Sequence, residues 1–341
     1  MKYFLYLKIL MAMLLGSSVS ASELNIYSYR QPFLIEPLTS AFSDQTGIKV
    51  NIVHLKKGMI ERMKAEGKRS PADIVLTVDI SRLSALVDAE LTQSVDSPIL
   101  DSNIPEKYRD PNGLWFGLTT RARIIYASKE RIKNGEVETY EQLADPKLRG
   151  KICTRSGLNA YNLALTSAIL HHHGEEFAIN WLNGLKGNLA RKPQGNDRAQ
   201  VKAIWAGECD ISIGNTYYMG KMLEDAEQAE WANSVRIIFP KFENGGTHVN
   251  VSGIGMAKFS PNPENALKFM EFLSSANAQE IYATANFEYP IAPGTQADKL
   301  VKSWGSFEAD DVNLMTIAKL RKRALELTEI VDVKVDNFSE L

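Results

Sequence analysis

Apolar residues change spacing repeatedly along this chain. Short β-rich runs at 24–29, 49–54 and 74–77 are separated by stretches at 34–46 and 59–66 whose apolar residues recur at helical spacing. That succession predicts a βαβαβ start, and with it an α/β fold built on a parallel sheet flanked by helices. A further helix is expected over 81–89, opened by Asp79 or Ser81 as its cap. A second α/β set begins after Gly117. A β-rich run at 121–128 would carry the chain out of the first unit, followed by a strand at 151–154 and helices at 161–173 and 175–185. Next come a helix at 199–206, a strand at 209–214 and a helix at 217–227. Two more β-rich runs, 235–240 and 253–257, flank a glycine-containing stretch at 243–247 that would carry the chain back. Two such crossings produce two lobes joined by a hinge, with a ligand cleft at the carboxyl ends of the strands. The expected division is 22–119 with about 241–284 for the first lobe, and 120–240 with about 285–341 for the second. The segment from Glu264 onward reads as mainly helical.

The first 21 residues stand apart from this pattern. Lys2 and Lys8 border an apolar run, Ile9–Leu15, and the segment closes on Val19, Ser20 and Ala21. This is the order of a cleaved export signal, with cleavage near Ala21 and a periplasmic destination; the apolar run is shorter than the roughly 20 residues of a membrane span. Its removal takes away two lysines and no acids, so the formal charge moves from −2 to −4. Such a chain offers no field for nucleic acid or an anionic membrane. The two cysteines, Cys153 and Cys209, lie at the edges of strand-like runs in the second lobe, and in an oxidising compartment they are expected to pair.

Candidate chemistry concentrates in two strand-to-helix turns. One carries Gly214, Asn215, Thr216, Tyr217 and Tyr218, with Asn215 or Thr216 suited to cap the helix. At a helix start, adjacent side chains diverge by only about 100°, so both phenols can reach one cleft. The other turn runs from Thr154 to Asn159 and leads to Tyr161. Three phenolates would balance a trivalent cation, because coordination deprotonates a group that is neutral in bulk water. Calcium, magnesium and zinc sites draw on other donors. Read without a ligand in view, the same tyrosines are an aromatic pair shared between core and surface.

The segments NIYSYRQ (25–31), ADIVLTVDISRL (72–83), GLTTRARIIY (117–126), KICTRSGLNAYN (151–162), GECDISIGNTYYMG (207–220) and EYPIAPG (288–294) together resemble the ferric-iron-binding periplasmic proteins of bacterial iron ABC importers. The likeness runs over essentially the whole mature chain. It implies a two-lobe, hinged periplasmic binding protein fold of type II-like form and a monomer that delivers Fe(III) to an inner-membrane ABC importer permease. It also implies that Tyr161, Tyr217 and Tyr218 are iron ligands. Many relatives add a first-lobe His after the opening strand, where this chain has Gln31 and Pro32. Proline cannot ligate and an amide is a poor donor for Fe(III), so a small anion such as carbonate is the expected substitute. Arg121 matches an arginine that contacts the anion or supports it in some relatives, and a guanidinium fork suits carbonate. Arg30 and Gln31 are weaker candidates for the same role, as is Arg123, which strand alternation places on the side of Arg121.

Other polar residues read as structural. Asp79 is expected to cap a helix, and Tyr27 and Tyr29 to form core or cleft wall. Three consecutive histidines, His171–His173, cannot share one helix face and suit a helix C-terminus. His54 and His248 are isolated. The competing functions are a binding protein for a ferric chelate or small organic solute, and a hydrolase. The second finds no support in motifs: there is no G-x-S-x-G, H-E-x-x-H, P-loop or redox-spaced cysteine pair, and Ser156 has no evident His and Asp partners.

Overall fold

A computed structural model describes residues 22–30 and 32–333. The expected signal segment 1–21, Gln31 and the last eight positions, 334–341, lie outside the described residues.

The opening is as the pattern predicts. Strand β1 (Glu23–Ser28), helix α1 (Glu36–Thr46), β2 (Lys49–His54), α2 (Met59–Glu66) and β3 (Ile74–Thr77) follow one another, with β1 parallel to both β2 and β3. Helix α3 (Ile80–Asp88) starts at Asp79, whose carboxylate accepts from the Arg82 backbone N–H at 3.0 Å. Two short elements invisible in the pattern, β4 (Thr92–Gln93) and α4 (Pro98–Asn103), lead into β5 (Phe116–Ser128), whose 13 residues are all buried. Then come β6 (Ile152–Cys153), the 28-residue α5 (Ala160–Gly187), α6 (Asp197–Trp205), β7 (Ile211–Asn215), α7 (Tyr217–Leu223), α8 (Ala229–Ser234), β8 (Val235–Ile238) and β9 (Val249–Ala257). The last elements are α9 (Pro263–Ser274), α10 (Ala276–Asn286), β10 (Tyr289–Pro290), α11 (Lys299–Ser303), α12 (Leu314–Lys319) and α13 (Arg321–Val331). None of the described helices is long and apolar enough to cross a membrane.

The sheet is mixed, which corrects the expectation of a parallel one. Its order is β2-β1-β3-β9-β5-β7-β6, with β4 added on β9 and both β8 and β10 on β5. Only β1–β2, β1–β3 and β6–β7 are parallel among the described strand pairs; β9 opposes β3 and β5, and β5 opposes β7 and β8. Hydrophobic periodicity reports which face of a strand is buried and carries nothing about its direction. The long strand β5 explains the reversal. Its first half, Phe116 to Ala122, pairs with β9, while Arg123 to Ala127 pairs with β7. The chain therefore changes partners in mid-strand, between Ala122 and Arg123.

Helix α5 is two helices joined across a kink at Gly174 (φ 81°, ψ 178°), which accounts for the separate helical runs read at 161–173 and 175–185. The helix read over 217–227 ends early, at Leu223 in α7; α8, Ala229–Ser234, is a separate helix beyond that run. Cys153 in β6 and Cys209, just before β7, form a disulfide with Cα atoms 5.8 Å apart. It fastens the two strands from whose ends the tyrosine-bearing turns depart.

Candidate functional site

Both turns are fixed locally before they present a side chain. Beyond β6, Asn159 caps α5 by accepting from the Tyr161 backbone N–H at 3.0 Å. Asn162 then stitches the turn together, donating to Thr154 Oγ1 at 3.2 Å and to the carbonyls of Arg155 and Ser156, both at 3.1 Å. Beyond β7 the expected side-chain cap is absent. Thr216 stands at the N-cap position, but its hydroxyl accepts from the Ala122 backbone N–H at 3.3 Å, and Asn215 accepts from Arg123 at 3.1 Å. These two residues join the turn to β5 and leave the helix end uncapped by any side chain. Close packing helps to hold it. A Cβ at Gly214 would lie 2.2 Å from the Tyr126 ring, and one at Gly220 would lie 2.2 Å from that of Phe287.

The two turns bring their tyrosines to one place. The Tyr217 hydroxyl lies 3.3 Å from that of Tyr161, and the Tyr217 and Tyr218 rings stand 4.2 Å apart between centroids. All three line a cavity of about 370 Å³ together with Arg30, Arg121, Arg198, Lys221 and Glu288. Burial raises the Tyr217 phenol well above its ordinary range, and the neighbouring Tyr161 and Tyr218 oxygens add to the cost of ionising it. Tyr218 is pushed up to about 12, by burial first and then by the Asp197 carboxylate and Tyr161. Without a cation in the cavity, these two phenols are therefore neutral at physiological pH.

Positive charge surrounds the cluster. The guanidinium carbons of Arg121, Arg123 and Arg155 sit 6.0, 5.9 and 5.6 Å from the Tyr161 ring centroid. Arg123 and Arg155 are both paired to Asp197, which is wholly buried; the Arg123 contact is 2.8 Å. Arg121 differs. It is 1% exposed; among the described residues its one hydrogen bond is from Nη1 to Ser252 Oγ at 3.1 Å, and its Nε and Nη2 have no partner. Arg121 thus lines the cavity as a buried guanidinium with two donors left over. Arg30 also reaches the cavity but is already paired, with Glu288 at 3.1 Å and with Tyr282 and Asn286.

The remaining candidates fall elsewhere. Tyr27 is buried in the core and donates to Glu66 at 2.7 Å, whereas Tyr29 lines the cavity and accepts from the Met59 backbone N–H at 3.2 Å. His172 pairs with Asp310 at 2.8 Å and His173 with Glu141 at 2.6 Å, while His54 contacts the Arg30 carbonyl at 3.0 Å. His248 is buried, and desolvation drives its pKa down to about 4. No cluster of three His, Cys, Asp or Glu suited to a metal occurs among the described residues. The roles of Asp197, Arg155, Arg198, Ser252 and Glu288 went unread in the sequence, where each looks like an ordinary polar residue of a turn, a helix or a strand; only the tertiary fold brings Arg198 and Glu288 to the cavity, Asp197 and Ser252 to the arginines and Arg155 to Tyr161.

A mixed sheet whose central strand changes partners halfway, with a polar cavity where two strand-to-helix turns meet, defines the two-lobe periplasmic binding protein architecture. The chain belongs to the bacterial extracellular solute-binding protein family, whose model matches residues 27–280. It is 46% identical over 295 residues to iron uptake protein A1 of Synechocystis sp., covering 86% of this chain and 82% of that one. Among solved structures it resembles ferric iron-binding protein A of Mannheimia haemolytica in an open conformation, at 52% identity and a TM-score of 0.89, covering 93% of this chain and all of the other. It also resembles a Trichodesmium protein in complex with iron and citrate ligands, at 40% identity and a TM-score of 0.89, over 92% of this chain and all of the other.

Proposed function

We propose that this protein is a periplasmic carrier that captures Fe(III) in the cleft through the phenolates of Tyr161, Tyr217 and Tyr218, with Arg121 holding a small anion that completes the coordination. The observation that carries this reading is the convergence of hydroxyls from two separate turns, 3.3 Å apart for Tyr161 and Tyr217. Neutral, the Tyr217 hydroxyl donates to that of Tyr161; ionised, the clustered phenolates would repel one another. A trivalent cation removes that conflict, because three phenolates neutralise it and it lowers the pKa of each. The ferric names of the relatives support the same cargo.

The lobes proposed from sequence, 22–119 with about 241–284 and 120–240 with about 285–341, would then close over the ion by bending of β5 and of the returning segment that ends in β9. The second lobe holds the iron first and closure presents the loaded carrier to an inner-membrane ABC importer permease, with the protein acting as a monomer without catalysis. The leading segment 1–21 directs export. A ferric chelate as cargo is the second reading, favoured by the cationic lining of Arg121, Arg198 and Lys221 and by the citrate in the Trichodesmium relative.

Phenolate bound to Fe(III) absorbs visible light, so a titration of the purified protein with ferric iron, with carbonate, with citrate and with neither, tests both readings. The expected result is a coloured one-to-one complex that needs an added anion. A colourless loaded protein, or one whose colour survives Tyr161→Phe, Tyr217→Phe and Tyr218→Phe together, removes the phenolate site.

A further inference from the structure

Arg121 is held by a side-chain cluster that the ligand set does not use. Ser252 Oγ, on β9, is its centre. That hydroxyl donates to Glu288 Oε2 at 3.2 Å and accepts from Arg121 Nη1 at 3.1 Å, and it also accepts from Arg30 Nη2; the Tyr282 hydroxyl lies beside it. A hydroxyl has one proton and two lone pairs. With the proton on the Glu288 side, both lone pairs are free for the two guanidinium groups. Glu288 in turn accepts from Thr119 on β5, and from Arg30 at 3.1 Å, and it is 1% exposed. Burial alone would raise the Glu288 pKa, but the nearby Arg30 and Arg121 charges outweigh that and hold it below the ordinary carboxylate range.

Three separate stretches of chain meet in this cluster: β5 through Thr119 and Arg121, β9 through Ser252, and the segment after α10 through Glu288. Resting on the anion reading above, we propose that Glu288 is the positioning residue for Arg121: by taking the Ser252 proton it fixes the hydroxyl that holds the Arg121 guanidinium at the wall of the cavity, where the anion would bind beside the tyrosines. The cluster contains two cations and one carboxylate, so a single anion in the cavity completes its charge balance. An amide at position 288 cannot reproduce this. It presents one acceptor and an NH2 group to a site crowded with donors, so the Ser252 proton loses its acceptor or Arg30 does.

The test compares iron affinity with and without carbonate in wild type, Glu288→Gln, Ser252→Ala, Arg121→Gln and the double variant Arg121→Gln/Glu288→Gln. In wild type, carbonate should tighten iron retention; Glu288→Gln and Ser252→Ala should each cut that enhancement at least tenfold while the phenolate colour persists. Adding Glu288→Gln to Arg121→Gln should change the carbonate enhancement no further, since both act on one interaction. A purely structural Glu288 would instead lower the melting temperature of every background by a similar amount and leave the carbonate enhancement intact, which overturns the proposal. If Glu288→Gln does not fold, Ser252→Ala decides alone, because it leaves the Arg30–Glu288 pair in place. A wild-type protein that binds iron with colour but without any anion dependence removes the anion role of Arg121, and this proposal with it. A wild type with no colour defeats the phenolate reading itself.

Discussion

At the scale of single residues, desolvation keeps one imidazole and two phenols of this chain neutral, to different ends. For His248 the consequence is stability; for Tyr217 and Tyr218, on the proposed reading, it is ligand binding. Burial holds the His248 pKa at about 4, below the 6.5 of a free imidazole. The unfolded chain therefore takes up a proton near pH 6.5 that the folded one resists until about pH 4, so stability is complete above pH 6.5 and falls as the pH drops through that window. The difference corresponds to about 3 kcal/mol at most. Chemical denaturation of the metal-free protein at pH 7.5 and pH 4.5 should show the loss, and His248→Asn should flatten it; equal slopes in both proteins would mean that other groups govern acid sensitivity. For the tyrosines the expectation concerns affinity. Loss of an outer partner of a metal typically costs 10–100-fold in affinity, so Tyr217→Phe and Tyr218→Phe should each exceed that range with little change in melting temperature. His172→Ala, which removes a contact to Asp310, should leave iron binding where it was.

Elements explain why these residues were partly legible beforehand. Strand-to-helix turns announce themselves by a β-rich run, small or cap-forming residues and a change of apolar period, and both tyrosine turns carried that signature. The sequence could not reveal how the second turn is held. Asn215 and Thr216 are good caps by type, but in the fold they are spent on Arg123 and on the β5 backbone. Strand direction was equally hidden, because the alternation of faces is identical in parallel and antiparallel pairs. Asp197 shows a third limit: an acid in the first turn of a helix suits the helix dipole, and nothing in the sequence says that it also serves two buried arginines. The packing at Gly220 gives an element-scale test. A methyl group there would press into the Phe287 ring, 2.2 Å from Cγ, and overpacking of this kind costs roughly 1–3 kcal/mol. Gly220→Ala should therefore lower the melting temperature and move the ferric absorption band, because the strain falls on the helix that carries Tyr217 and Tyr218. Full retention of both properties would show that α7 yields freely.

At the scale of the whole molecule, the proposed phenolate site would couple cargo to protons. The neutral Tyr217 and Tyr218 of the metal-free protein, one raised well above the usual phenol range and the other to about 12, would have to ionise to ligate. Each phenol that does so near neutral pH releases one proton, so log affinity rises by one for every pH unit per phenolate formed. Three ligating phenols make the affinity change by about a thousandfold per pH unit, apart from protons taken up by the anion. The sign is fixed: acid releases iron and alkali tightens it. Partition of Fe(III) between the protein and a competing chelator across pH 6 to 8, corrected for the chelator's own protonation, should give a slope near three in wild type and near two in Tyr217→Phe. A slope near zero in wild type would mean that the metal enters without displacing phenolic protons. Small-angle scattering on the same samples links chemistry to shape: on the proposed reading, loading with iron and anion should reduce the radius of gyration as the first lobe closes over the ion. Iron that produced colour without compaction would place capture and closure in separate steps, with the anion the natural trigger for the second.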